Sequence, residues 1–263
     1  MSTDPAVAAS VATARPCSIS PLSSRISTRP LHERLGERLL RGALSLMGLE
    51  FRIVRTEPER SQARALRARI FASAGYSADL SEVARRYDDH ATMVVGSYRG
   101  QLVGTLTLVD AAVSCRVLEL WNLRLPTSLE LPRTQEISAL AVDPAHRGRG
   151  RAVVIGMLDV AFQEARRRGV DWWLASSSEA NYRAFRSINP HCQLLEELPP
   201  TALHLAHRER YRSYFADRGQ RAQLFAFELG QVSYTANLGR MLAGRARRLI
   251  RGRRRRLGTA PRG

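Results

Sequence analysis

The stretch Gln135–Ala152, QEISALAVDPAHRGRGRA, decides the fold. Glu136–Val142 has the composition of a strand, in which Ile137, Ala139 and Ala141 alternate with Glu136, Ser138 and Leu140. Asp143-Pro144 ends it, because proline biases the residue before it away from helix and lacks an N–H. A basic loop follows, Arg147–Arg151, with Gly148 and Gly150 separated by one residue. From Ala152 the period becomes helical: Val154, Met157, Leu158, Ala161, Phe162 and Ala165 share one face. Arg166, Arg167 and Arg168 complement the last turn, and Gly169 fits the C-cap. A glycine-bearing loop that opens a helix is a candidate anion site. Glycines let backbone N–H groups approach a phosphate, the helix N-terminus adds partial positive charge, and the loop arginines add charge-assisted donors.

Outward from this stretch the chain alternates strands and helices. Phe51–Val54 reads as the first strand, and Glu57–Ala74 as a helix with Ala63, Leu66, Ile70 and Phe71 on its buried face. A short polar helix is expected over Asp79–Arg86. Thr92–Tyr98 and Gln101–Val109 form a hairpin across Arg99-Gly100. Val117–Leu120 reads as a further strand, Glu136–Val142 as the fourth core strand and Val170–Ala175 as the fifth. Ala180–Ile188 reads as a short helix, Gln193–Leu198 as extended chain, Thr201–Phe215 as a helix and Leu224–Leu229 as the last strand. This order predicts one α/β (α+β) domain over residues 51–230, a mixed central sheet flanked by helices.

Segments on either side differ in kind. Met1–Pro30, rich in Ala, Ser, Thr and Pro, reads as disordered; a transit peptide would have a similar composition. Residues 31–50 hold an amphipathic helix, Leu31–Met47, whose stripe of Leu35, Leu39, Leu40, Ala43, Leu44 and Met47 is flanked by Arg34, Arg38 and Arg41. It can pack on the domain or lie on a membrane surface. Residues 231–263 are an arginine-rich tail: no acidic residue follows Glu228, and ten arginines lie between Arg240 and Arg262. Leu238–Ile250 has helical spacing and Arg253–Arg256 is a continuous cationic run. The formal charge is +17, all of the basic side chains being arginine. Three cysteines, Cys17, Cys115 and Cys192, lack disulfide or metal spacing, which suggests a reducing compartment. No apolar run suits a membrane span or signal peptide. The cytoplasm, with peripheral contact at the inner membrane surface of a bacterium, is the expected location.

Arg147, Gly150 and Ala152 match Arg/Gln-x-x-Gly-x-Gly/Ala, so the stretch resembles the acyl-CoA-binding motif of the GNAT N-acyltransferases. That resemblance implies a GNAT fold in which Arg147, Gly148, Arg149, Gly150, Arg151 and Ala152 hold a pantetheine-linked phosphate. It also implies that a splayed strand, here Leu140, Ala141 and Val142, pairs with the pantetheine arm. Upstream, Arg67 with Phe71, Tyr87 with Asp88, and Glu136 resemble motifs of the acyl-homoserine-lactone synthases and the long-chain N-acyl amino acid synthases, over roughly Phe51–Leu198. The usual donor there is a fatty acyl chain on acyl carrier protein. Ala139 stands where the lactone synthases carry a basic residue, which points to the amino acid synthases. Ile188 stands where many GNAT acetyltransferases carry a general-acid tyrosine; Tyr182 lies nearby at another helical phase.

The expected chemistry is direct transfer of an acyl group from acyl-ACP or acyl-CoA, a co-substrate rather than a bound cofactor, to the amine of an amino acid or similar small acceptor. A neutral amine must attack the thioester, so a base must accept a proton. Glu136 is the candidate base; it could equally be a surface carboxylate or a partner for an arginine. Arg67 is a candidate for the acceptor carboxylate, or a partner for Asp88, itself a second acceptor-site candidate or a helix terminator. Ser176, Ser177 and Ser178 suit either an acyl pocket or a turn, and one of Trp172 and Trp173 could line an acyl tunnel. His204 and His207 lack a third ligand, so no metal site is expected. An acetyltransferase using acetyl-CoA is the competing enzyme. A basic module binding nucleic acid or anionic membrane through Arg240–Arg262 is the competing non-enzyme, but it leaves Glu136–Ala152 unexplained.

Overall fold

The structure, a computed structural model, describes residues 30–75, 87–205, 222–233 and 239. The chain runs α1 (Leu31–Leu46), β1 (Leu49–Ile53), α2 (Glu57–Ser73), β2 (Ala91–Tyr98), β3 (Gln101–Asp110), α3 (Arg116–Leu120), β4 (Leu123–Arg124), β5 (Thr134–Val142), α4 (Gly150–Arg167), β6 (Trp172–Ser177), α5 (Glu179–Ile188), β7 (Gln193–Leu194), β8 (Glu196–Glu197) and β9 (Gln223–Glu228). Seven strands form one sheet in the order β1-β2-β3-β5-β6-β9-β7, and β4 pairs with β8 in a second. Only β5 and β6 are parallel; every other pair is antiparallel. This is the mixed α/β sheet expected, and its order is that of a GNAT-like domain.

Local chemistry explains the elements. Thr56 and Glu59 close a capping box at the start of α2, with proline in the first turn. Arg99 (φ 50°) and Gly100 (φ 79°) make the tight turn of the β2–β3 hairpin, in the left-handed region that such two-residue turns need. The core of α4 faces β1, β2 and β3 at close range. A Cβ on Gly156 would stand 2.2 Å from the Phe51 ring, and one on Gly104 would stand 2.9 Å from Val153. Glycine at both positions lets helix and sheet meet there. The face carrying α4 and α1 buries the largest cluster, including Leu40, Leu44, Val153, Met157, Phe162, Trp173 and Phe225. The opposite face carries α2 and α3, with Val117, Leu120, Trp172 and Leu174 in one cluster and Leu66, Ile70 and Ala141 in another.

Several expectations change. Val117–Leu120 is part of a helix, not a strand: Val117 and Leu120, three apart, are the buried pair, and so short an apolar run carries no decisive period. Gln193–Leu198 is split into two two-residue strands belonging to different sheets. The helix α4 begins at Gly150, two residues before the periodic pattern does. The stripe expected on α1 is divided, with Leu40 and Leu44 packed against the domain and Leu35 and Leu39 exposed. Asp79–Arg86, most of Thr201–Phe215, all of Leu238–Ile250 but Gly239, Arg253–Arg256 and the segment before Pro30 lie outside the described residues. Among the described residues no helix is long and apolar enough to cross a membrane.

Candidate active site

The centre of the sheet is forked. Strand β5 pairs with β6 only from Thr134–Ile137, against Trp172–Ala175. Beyond Ala175, β6 continues to Ser177 on β9, while β5 continues to Val142 on β3. Ser138–Val142 therefore has no β6 partner, and a wedge opens between it and Ser176–Ser177. The cause is on the other edge of β5. Thr107 faces Ser138 and Thr105 faces Ala141, so β5 holds one residue more than β3 across the same span. Ala139 absorbs it at φ 50°, a left-handed conformation unfavourable for any side chain. The bulge also reverses the alternation read from the sequence. Ile137 faces the α4 side, but Ala141 packs with Leu66 and Ile70 of α2, and Leu140 and Val142 take the α4 side.

The glycine loop sits at the open end of β5. Asp143 Oδ1 accepts from the Ala145 N–H at 2.9 Å, and Arg69 pairs with its other oxygen at 2.8 Å, fixing the turn. A 3₁₀ segment, Pro144–Arg149, feeds directly into α4, whose N-cap residue Arg149 makes no side-chain cap bond. The Arg149 guanidinium instead lies 4.3 Å from the centre of the Tyr98 ring and donates to its hydroxyl at 3.3 Å. Arg151 donates to the Ser187 hydroxyl at 3.4 Å. A Cβ on Gly148 or Gly150 would meet nothing within 4 Å, and neither has a positive φ. Neither internal packing nor backbone conformation requires glycine there, which leaves the approach of an outside group as a reason. Ala152 is buried against the core. The side chain of Arg147 lies outside the described residues.

Glu136 stands one residue before the fork, on the α3 side, and is 1 % exposed. Its Oε2 accepts from the Val117 N–H at 3.1 Å, in the first turn of α3. Its Oε1 lies 3.3 Å from Arg116 Nη2 in an ion pair but has no hydrogen bond of good geometry. Burial pushes the Glu136 carboxyl above the usual carboxylate range, and the Arg116 guanidinium, the Val117 N–H and the Cys115 thiol pull against that. Cys115 is likewise driven upward, first by burial and then by the charge of Glu136, so it stays a thiol. A carboxyl held in this way keeps a proton more readily than an exposed one does.

Arg67 and Asp88 meet each other. The Arg67 guanidinium grips the Asp88 carboxylate through two bonds, 3.0 and 2.5 Å, and reaches Thr107 Oγ1 at 3.4 Å. Both side chains are buried, at 4 % and 1 % exposure. Arg60 and Arg64, on the same face of α2, add bonds to the Asp88 carbonyl at 2.8 Å and to its carboxylate at 3.3 Å. Of the roles weighed from the sequence, pairing between Arg67 and Asp88 is the one visible. Next to them the Tyr87 hydroxyl donates to Glu119 at 2.6 Å. No sequence signal ties Arg116 or Val117 to Glu136; the helical reading of Arg116–Leu120 is what brings both to it.

The remaining candidates separate. Ser178 caps α5, accepting from the Asn181 N–H at 3.4 Å, and Ser176 and Ser177 line the β6 side of the wedge. Tyr182 is buried against Phe225 with ring centres 5.1 Å apart. His204 bonds to Thr201, and His207 lies outside the described residues. Among the described residues no three His, Cys, Asp or Glu side chains are grouped to hold a metal. Trp172 and Trp173 point to opposite faces, and Trp173 lines a cavity of about 40 Å³ with Ile155, Leu158, Phe162, Phe185 and Phe227. On a scale where one water needs about 10–15 Å³, this admits a few waters or the end of an alkyl chain.

Residues 62–204, a little over half of the chain, match the family model of the N-acyl amino acid synthase FeeM. No curated protein matches the sequence. Among solved structures, the chain is similar to TofI, solved in apo form (TM-score 0.50, 18 % identity, 72 % of this chain and 96 % of that one). It is also similar to FeeM itself, an N-acyl amino acid synthase from uncultured soil microbes (TM-score 0.49, 14 % identity, 71 % and 96 %). A putative GNAT-family acetyltransferase from Desulfovibrio desulfuricans gives a TM-score of 0.43 at 17 % identity, covering 69 % and 99 %. With the forked mixed sheet and the loop that opens α4, the family match identifies the chain as an acyltransferase of the GNAT fold, belonging to the FeeM family of N-acyl amino acid synthases.

Proposed function

We propose that the protein moves a long-chain acyl group from a pantetheine thioester, on acyl carrier protein or CoA, to the amine of an amino acid or similar small acceptor. The observation that carries this reading is the fork: β5 leaves β6 one residue above a buried glutamate and ends in a glycine loop with open space around it. In this reading the pantetheine arm pairs with the free edge of Leu140, Ala141 and Val142, and its phosphate meets the amides and arginines of Arg147–Ala152. The amine nitrogen attacks the thioester carbonyl, the C–N bond forms and the C–S bond breaks. Glu136 takes the proton that the attacking nitrogen loses, directly or through a water, and that proton then goes to the departing thiolate, which leaves as the thiol. Arg116 and the Val117 N–H hold the carboxylate without neutralising it.

The Arg67–Asp88 pair borders the acceptor side, where it would shape the acceptor pocket; direct contact between Arg67 and an acceptor carboxylate needs that pair to open. The cavity beside Trp173 would receive the far end of the acyl chain. Its small volume favours the competing reading, acetyl transfer from acetyl-CoA, unless the chain widens it. Without the ten arginines between Arg240 and Arg262 the formal charge falls from +17 to +7, which favours an acidic carrier protein as donor. The tail itself would meet an anionic membrane surface. The test is to incubate the protein with long-chain acyl-ACP and an amino acid mixture and identify products by mass spectrometry. Long-chain N-acyl amino acids are expected; hydrolysed fatty acid alone would overturn the reading.

A further inference from the structure

The helix α1 carries two apolar faces, and the domain uses one. Leu40 and Leu44 are buried against α4, and Arg41 ties the helix to Asp159 at 2.9 Å. Leu31, Leu35, Leu39 and Leu46 are exposed at 82, 55, 52 and 92 %. At about 100° per residue these four fall within about 80° of one another, a continuous leucine stripe directed away from the domain. Charge is sorted around it. Arg34 and Arg38 flank the stripe and are exposed. The acidic residues turn inward, Glu37 to Arg41 and Glu33 to Ser233 at 2.8 Å. That last bond fixes where the arginine-rich tail leaves the domain. Ser233, held on the domain-facing side of α1, is followed in sequence by 30 residues with no Asp or Glu and ten arginines.

We infer that α1 is a membrane-docking element, its leucine stripe entering the interface of an anionic bilayer while Arg34, Arg38 and the tail meet the headgroups. An apolar stripe bordered by cations and free of acids complements such a surface, whereas a protein groove needs no cationic margin. It rests on the reading of the tail as a membrane contact and adds the apolar half that arginines alone lack. The location would bring the acyltransferase to the bilayer that takes up an N-acyl product.

The test is sedimentation of the full chain with phosphatidylcholine vesicles, with and without phosphatidylglycerol, at about 0.05 and 0.5 M salt, where the screening length falls from roughly 14 to 4 Å. Leu35→Ser/Leu39→Ser should bind anionic vesicles about tenfold or more weakly than wild type, and the deficit should persist at high salt. Removal of Arg245–Gly263 should weaken binding chiefly at low salt. Leu46→Trp should show a blue shift of emission on anionic vesicles. If the double serine variant binds like wild type while the truncation does not, the tail is the anchor and the stripe is not. If the leucines matter and the truncation changes nothing, the stripe stands and the tail reading fails. Absence of the Leu46→Trp shift, or conversion of a dimer to a monomer by Leu35→Ser/Leu39→Ser with vesicle binding unchanged, would overturn the inference.

Discussion

Glu136→Gln should separate catalysis from stability. Glutamine keeps the shape and can still accept the Val117 N–H, now 3.1 Å from Oε2, but it cannot take a proton. By the usual size of general-base catalysis the turnover should fall about 10²-fold or more, roughly 3 kcal/mol in the barrier. Stability should move the other way with pH. Burial raises the Glu136 carboxyl above its ordinary range, so the folded state holds its proton more tightly than the unfolded chain does. The resulting stabilisation is complete below the unfolded value, about 4.3, and is lost as pH rises through the higher folded value. Glutamine has no such loss, and the Arg116 side chain, 15 % exposed, can turn toward water. The variant should therefore gain stability relative to wild type as pH rises above about 4.3, by an amount that levels off once Glu136 is ionised in the fold. Urea unfolding from pH 4 to 8, alongside steady-state turnover, reads both effects. Turnover within twofold of wild type at saturating substrate would discard Glu136 as the base, and a stability difference that shrinks with rising pH would contradict the burial argument.

Gly150→Val should cost donor affinity about tenfold or more, since a branched side chain occupies the approach to the loop, yet shift stability by less than about 1 kcal/mol because a Cβ there meets no atom within 4 Å; unchanged affinity by calorimetry would refute the phosphate site. Asp88→Asn leaves the buried Arg67 guanidinium without its carboxylate and should destabilise by about 3 kcal/mol in urea unfolding; a loss below about 1 kcal/mol would show that the pair does not hold α2 to the segment before β2. Ala139→Val places a β-branched residue at φ 50° and should cost about 1–2 kcal/mol, whereas Ala139→Gly should be neutral or stabilising; the reverse order would mean that the bulge is not strained.

What the sequence disclosed follows from periodicity. The helix α4 and the loop before it were legible because a 3.6-residue pattern follows an Asp-Pro stop, and the hairpin because strand alternation brackets Arg99-Gly100. The bulge at Ala139 was hidden, since alanine is a common strand-neutral residue and no turn signal marks it. With it went the side assignment of Ala141 and the cause of the fork. The surroundings of Glu136 were hidden for another reason. Arg116 and Val117 lie about twenty residues away in sequence, on a helix of five residues that reads as readily as a strand. The Arg67–Asp88 pair was foreseeable only as an alternative, because spacing shows which groups are available and not which of them close on each other.

The most direct measurement is turnover compared across three donors: a long acyl chain on acyl carrier protein, the same chain on CoA, and acetyl-CoA, each with an amino acid acceptor. Long-chain acyl carrier protein should be fastest, and its advantage should shrink as salt rises past about 0.15 M, where screening reaches about 8 Å. Faster turnover with acetyl-CoA than with either long-chain donor would contradict long-chain acyl transfer and assign the fork to acetyl transfer instead.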